Sequence, residues 1–185
     1  MKAKPVVILA SLLFVAMGSL SADERDGKPH PEFQSRHRQW RQVKDSPISV
    51  CLALPKTTFA AGDGITLRCA IRNDSDKALT VLSPFGDTYF TTSTGVSILG
   101  PDGPVSYKGP HKDYVLSPDS FIELPARSVI EGEITITHVA FPGLDKPGLF
   151  TIDYRYASQG HPAQPPPANY WTGYVDSNAV SVLVK

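Results

Sequence analysis

Residues 65–72 read Ile65-Thr66-Leu67-Arg68-Cys69-Ala70-Ile71-Arg72. Ile65, Leu67, Cys69 and Ile71 share one parity, and Thr66, Arg68, Ala70 and Arg72 the other. A period of two sends successive side chains to opposite faces of an extended chain, whereas a helix would bring its apolar residues back every three to four positions. The stretch is a half-buried β-strand, and its surroundings repeat the rhythm. Upstream, Ile48, Val50, Leu52 and Leu54 alternate with Ser49, Cys51 and Ala53; near the end, Val180, Val182 and Val184 alternate with Ser181 and Leu183. Further strands are expected at about 78–83, 94–99, 119–124, 128–138 and 149–156. Turn-forming runs divide them: Ala61-Gly62-Asp63-Gly64, Asn73-Asp74-Ser75, Pro101-Asp102-Gly103 and Pro147-Gly148. No window after residue 46 sustains a helical period. Seven to eight short strands within 47–185 hide their inner faces most simply as two antiparallel sheets packed face to face with Greek-key connections; a closed barrel is the lesser alternative.

Leu144-Asp145-Lys146-Pro147-Gly148-Leu149-Phe150-Thr151-Ile152 resembles the corner that enters the sixth strand of immunoglobulin-type sandwiches, with Phe150 at the position of the corner Tyr and Ile152 at that of the second Cys. The expected fold is therefore an all-β, immunoglobulin-like sandwich whose cysteines are not the usual inter-sheet pair. Cys69 has the inward parity of its strand and Cys51 the outward parity of its own. Neighbouring antiparallel strands can join two cysteines only when both Cβ atoms point to one face. A bulge would restore that geometry, so a Cys51–Cys69 disulfide stays open at this point.

The composition excludes several classes. The 185 residues carry 18 basic and 18 acidic side chains, are 41% hydrophobic and only 19% charged, and include 17 Pro and 14 Gly. A disordered tail, a coiled coil and a multi-domain enzyme are excluded. The neutral balance provides no electrostatic footprint for nucleic acid or an anionic membrane. Lys2 and Lys4 precede an apolar run from Val6 to Met17, followed by Gly18, Ser19, Ser21 and Ala22, the three-part order of a secretory signal peptide over 1–22. About 12 apolar residues are too few to cross a bilayer at about 1.5 Å each, so cleavage, after Ala22 or alternatively after Gly18, is expected to release a secreted or periplasmic protein with no stable membrane insertion. Loss of Lys2 and Lys4 leaves 16 of the 18 basic groups against 18 acidic ones, a net charge of −2. That compartment permits a disulfide. Residues 23–46 form a polar leader. Phe33, His37, Trp40 and Val43 or Lys44 recur at spacings that allow one short amphipathic helix, and Trp40 is a candidate to dock on the domain or on a partner.

From Ile65-Thr66-Leu67 and Ile71-Arg72-Asn73-Asp74-Ser75, through Leu79-Thr80-Val81-Leu82, Val105-Ser106-Tyr107-Lys108-Gly109-Pro110, Asp113-Tyr114-Val115 and Phe121-Ile122-Glu123-Leu124, to Pro147-Gly148, Ile152-Asp153-Tyr154, Trp171-Thr172-Gly173 and Ser177-Asn178-Ala179-Val180-Ser181-Val182, the order of segments over 48–184 resembles the N-terminal β-sandwich domain of peptidyl-Lys metalloendopeptidases and related stand-alone secreted domains. The resemblance implies a sandwich fold, export and an accessory role beside proteolysis. It carries no catalysis. Those enzymes hold zinc in a His-Glu-x-x-His helix, and none of His30, His37, His111, His138 and His161 has that spacing.

No nucleophile elbow, phosphate loop or dinucleotide fingerprint is present, so no catalytic residue and no cofactor is assigned. Asp74 and Asp76 could belong to a cation loop, yet the remaining Ca²⁺ ligand spacing is missing. Asn73-Asp74-Ser75 fits the N-glycosylation pattern and equally a plain turn. Topology offers a sharper expectation. In a Greek-key sandwich the loops 73–77, 100–118 and 157–169 should emerge at one end, bringing together Tyr107, Lys108, His111, Lys112, Tyr114, His161 and Tyr170 as a partner-binding surface; the opposing expectation is that Tyr114 and Trp171 pack inward. The favoured reading is an exported, non-enzymatic interaction module, with a protease among the candidate partners. The alternative is a small metal-binding protein or enzyme using His111, Asp113 and His161.

Overall fold

The computed structural model describes residues 40–84, 95–109, 117–158 and 167–185. Among them the only helical element is a 3-10 turn at Pro118–Ser120; the rest of the regular structure is strand. In chain order these are β1 (Arg41–Gln42), β2 (Ile48–Ala53), β3 (Thr58–Phe59), β4 (Ile65–Asn73), β5 (Leu79–Leu82), β6 (Val96–Gly100), β7 (Gly103–Pro104), β8 (Phe121–Leu124), β9 (Val129–Ile136), β10 (Gly148–Ser158), β11 (Gly173–Asp176) and β12 (Val180–Val184). The period-two segments become β2, β4, β5, β6, β8, β9, β10 and β12. The signal-peptide segment lies outside the described residues.

One sheet has the order β1-β2-β4-β9 and the other β3-β12-β10-β6-β7, with β11 also on β10; β5 and β8 form a separate ribbon. The result is an all-β sandwich. β2-β4-β9 over β6-β10-β12 gives the two-sheet layout of an immunoglobulin-like domain. After β2 the chain leaves the first sheet at Pro55, whose missing N–H cannot continue the ladder, and β3 joins the second sheet parallel to β12, with Thr58 beside Leu183 and Phe59 beside Val184.

Alternation decides what is buried. Ile65, Leu67, Cys69 and Ile71 of β4, Phe150, Ile152, Tyr154 and Tyr156 of β10, and Val180, Val182 and Val184 of β12 enter one apolar cluster between the sheets, each large side chain contributing about 1.5–3 kcal/mol by leaving water. Phe150, in the corner position, is buried there. The sheets are also clipped by Asn178, whose Oδ1 accepts the Leu52 N–H at 2.8 Å and whose Nδ2 donates to the Leu52 carbonyl at 3.0 Å.

Two expectations are corrected. The helix weighed for the leader does not form over its described end, 40–46. Instead β1 pairs with β2, Arg41 opposite Val50, and Trp40 settles on the outer face of the sheet over Cys51, Ala53 and Ala70. The Arg72 guanidinium stacks 4.4 Å from the Trp40 ring centre. A small-residue trough beside an open strand edge favours extended docking over a solvated helix. That cover explains why Cys51 and Ala53 are buried although they face away from the core, while Ser49, the third outward residue of the fully buried β2, is bonded to Asp74. The second correction concerns the cysteines, which are not joined. Cys51 pairs with Ala70 and Leu52 with Cys69 in an unbroken register, so no bulge intervenes. Cys69 points into the core cluster and Cys51 into the Trp40 cluster on the other side. Burial, with a smaller contribution from Cys51, pushes the Cys69 thiol well above its ordinary pKa.

Candidate functional site

β4 ends at Asn73, and the turn that follows is fixed from inside. The two N–H bonds of the buried Asn73 amide serve three carbonyls, Lys77 at 2.8 Å and Leu124 and Pro125 at 3.0 Å each, one N–H being shared. Its Oδ1 accepts from the Ser75 N–H at 2.9 Å and the Ser75 hydroxyl at 2.7 Å. An amide nitrogen enclosed in this way is no glycan acceptor. Asp74 is committed to the Arg72 guanidinium at 2.5 Å and to the Ser49 hydroxyl. Asp76 faces Arg127 at 2.8 Å. The two carboxylates thus turn to different arginines, and no group of three metal-ligating side chains gathers among the described residues.

The turn presents Lys77, Ala78 and Leu79 to the segment that precedes β11. There Thr80 pairs with Tyr170 in a single parallel bridge. The Thr80 N–H donates to the Asn169 carbonyl at 3.0 Å and the Trp171 N–H to the Thr80 carbonyl at 2.8 Å, while the Thr80 hydroxyl donates to the Ala168 carbonyl at 3.0 Å. Between the two segments lies an open groove lined by Lys77, Ala78, Leu79, Asn169, Tyr170 and Trp171. Its aromatic walls are anchored. Trp171 stacks on the buried Tyr156 with ring centres 6.0 Å apart and planes 12° from parallel. Tyr170 meets Phe121 edge-on at 5.3 Å, and its hydroxyl accepts from Ser158 at 3.1 Å. Burial pushes the Tyr170 phenol up from its ordinary pKa, with the Ser158 bond acting in the opposite direction.

Tyr107 and Lys108 lie elsewhere. Tyr107 packs edge-on against Phe141 at 5.3 Å, and the Lys108 N–H donates to the Ala140 carbonyl at 2.7 Å. Both follow β7, and their partners Phe141 and Ala140 lie in the connection leading into the first residues of β10, whereas Tyr170 is bonded to Ser158 at that strand's last residue. β10 is 11 residues long, which at about 3.3 Å per residue separates its ends by roughly 30 Å. Loops 73–77 and 157–169 therefore do meet through their described parts, but residues 100–109 sit at the opposite end of β10, while 117–118 lead into β8, whose Phe121 touches Tyr170. His111, Lys112, Asp113, Tyr114 and His161 lie outside the described residues. Trp171, weighed as inward-packing, does both: one face rests on the core and part of the ring lines the groove.

At Lys108's end there is a cavity of about 280 Å³ between the β6–β7 turn and residues 142–146. Val105, Pro101, Pro104 and Pro142 contribute apolar surface to it, with the buried Phe150 behind them, and Lys108 and Lys146 carry its positive charges. Lys146 Nζ stands 3.6 Å from Asp102 Oδ2, with both side chains mostly in water. Gly100 and Gly143 let the walls approach: a Cβ on Gly100 would lie 2.8 Å from the Phe150 ring, and one on Gly143 3.2 Å from Val105 Cγ1. Sequence reasoning reached Lys108 but missed this cavity, since nothing local to Pro142, Gly143 or Lys146 shows that they fold onto the β6–β7 turn.

No family model and no curated protein matches the chain. Among solved structures it is similar to a β-glucosidase from Erythrobacter marinus at 12% identity and a TM-score of 0.39, over 75% of this chain and 15% of that one. It is also similar to a chain of the Salmonella enterica SafA pilin–SafB chaperone complex at 14% identity and a TM-score of 0.32, over 74% of this chain and 54% of that one. The chain thus spans under two thirds of the length of either, and at these scores neither gives it an activity or a partner.

Proposed function

We propose that this chain is an exported, non-enzymatic binding module whose partner is a protein held in the Lys77–Trp171 groove. One observation carries the reading: two aromatic side chains, Tyr170 and Trp171, are fixed by stacking and hydrogen bonds yet remain accessible beside Leu79 and Lys77. Rigid aromatics that lose little side-chain entropy on contact are the usual anchors of protein interfaces. The apolar floor accepts an aliphatic or proline side chain of an extended segment, and Lys77 favours an acidic neighbour on it. The basic and apolar lining contains no paired acid and base that would make the groove catalytic. Export follows from the signal-like first 22 residues, and the sandwich resemblance makes an exported protease the first partner to try.

The test uses a photo-crosslinking residue at Lys77 in the full chain, expressed where it is native. A discrete adduct is expected from position 77 and not from Lys56, an exposed lysine away from the groove. The adduct should weaken at least about tenfold in Trp171→Ala and in Leu79→Ser, each first checked for a native unfolding transition. An adduct of equal strength in both variants, or equal capture from positions 56 and 77, would overturn the proposal.

A further inference from the structure

The cavity at the other end of β10 has a different chemistry from the groove and does not depend on it. We propose that it binds a small monocarboxylate with an apolar body, the carboxylate at Lys108 and Lys146 and the body against Val105 and the lining prolines Pro101, Pro104 and Pro142. Three observations lead there. At about 280 Å³ the space falls just below the range of about 300–1,000 Å³ of drug-sized sites, so its occupant is small. The lining pairs an apolar surface with two lysines and one aspartate, a net positive rim. The ion pair already there, Lys146 with Asp102 at 3.6 Å, lies between side chains 67% and 82% exposed, and such a pair is weak enough for a better-placed carboxylate to displace. Lys108 forms no ion pair among the described residues, so it is available to the incoming charge.

The close approach of the walls is set by backbone. Gly100 and Gly143 carry no side chain where a Cβ would press on Phe150 or Val105, and Gly103 turns between β6 and β7 at φ 113°, a region that only glycine enters without strain. Two sources offer a carboxylate on an apolar stem: a free organic acid, and the C-terminal residue of a peptide. The lysine–carboxylate contact is the same for both.

The experiment titrates the full protein with 4-phenylbutyrate and, separately, with acetyl-Gly-Phe bearing a free C-terminus, following the amide signals of Gly100, Gly103 and Gly143 by NMR. The controls are 4-phenylbutanamide and the amidated peptide. Saturable shifts from the acids and none from the amides are expected. Stronger binding of phenylbutyrate would identify the free acid as the source, and stronger binding of the peptide a chain terminus. The double variant Lys108→Gln, Lys146→Gln, which alters only exposed side chains, should weaken binding about tenfold or more. Asp102→Asn should tighten it several-fold by removing the competing carboxylate, an effect of opposite sign that mere loosening of the turn would not produce. Equal response to acid and amide, no saturable shift from either acid, or affinity unchanged in the double variant would overturn the proposal.

Discussion

Asn73 is a single side chain that holds two chain segments at once. Its amide satisfies carbonyls of the 73–77 turn and of the β8–β9 connection, so its removal strands several buried acceptors together. Asn73→Ala is expected to cost about 2–4 kcal/mol in urea unfolding, and Asn73→Asp at least as much, because a carboxylate cannot donate to those carbonyls. A loss under about 1 kcal/mol in Asn73→Ala would show that the turn stands without it. In the sequence Asn73-Asp74-Ser75 is fully explained as a turn and also fits a glycan acceptor; the burial of the amide, set by Leu124 and Pro125 some fifty residues away, removes the second. Tyr170 gives the residue-scale pH dependence. The folded chain holds its phenol proton more tightly than the unfolded chain does. This contribution to stability is complete below the ordinary tyrosine pKa and is lost as the pH rises through the raised folded value. Ultraviolet titration of the protein minus that of Tyr170→Phe should give a midpoint above 10.0, the ordinary value, and a midpoint at or below it would remove the desolvation argument.

At the scale of elements, alternation made strands such as β4 and β12 legible because their core-facing parity is the buried one, so burial is written into parity. β1, β3, β7 and β11 were not legible. β1, β3 and β7 are two residues each, too short to show a period, and β11 continues the edge that β12 occupies on β10. Trp40 shows what parity alone conceals. It closes a second, outer apolar cluster over Cys51, Ala53 and Ala70, so the outward residues of β2 are buried by a segment whose own sequence reads as polar leader. Parity raised the question of the cysteines but left it open, and the unbroken β2–β4 register answers it by keeping Cys51 and Cys69 on opposite faces. Trp40→Ala is expected to lose about 2–4 kcal/mol and to open Cys51 to alkylation while Cys69, on the inner face, stays protected. Intact-mass measurement after brief iodoacetamide treatment at pH 8 checks this: no adduct in the parent protein, one in Trp40→Ala, two in denaturant. Rapid labelling of the parent, or a mass showing a bridge between the thiols, would contradict the two-cluster arrangement.

At the scale of the whole molecule, two sheets with one shared interior should respond oppositely to changes one residue apart. Val182 is fully buried in the interior, while Leu183, next along β12, is 39% exposed on the outer face. There it pairs with Leu149, and Leu149 and Leu99, on neighbouring strands, are likewise exposed. Both functional proposals rest on this frame, because the groove and the cavity lie at opposite ends of β10 and are positioned by the same packed strand. Val182→Ala removes interior volume and is expected to cost about 1.5–3 kcal/mol; Val182→Asp adds an unpaired buried charge and should abolish cooperative folding. Leu183→Lys should leave unfolding within about 0.5 kcal/mol of the parent, as should Leu149→Glu, and together they place opposite charges on a cross-strand pair that adds at most about 1 kcal/mol. Thermal and urea unfolding of the four variants measures the contrast. If Leu183→Lys cost as much as Val182→Ala, the outer face of that sheet would be a covered surface, and a layer beyond the two-sheet sandwich would have to be part of the folded unit.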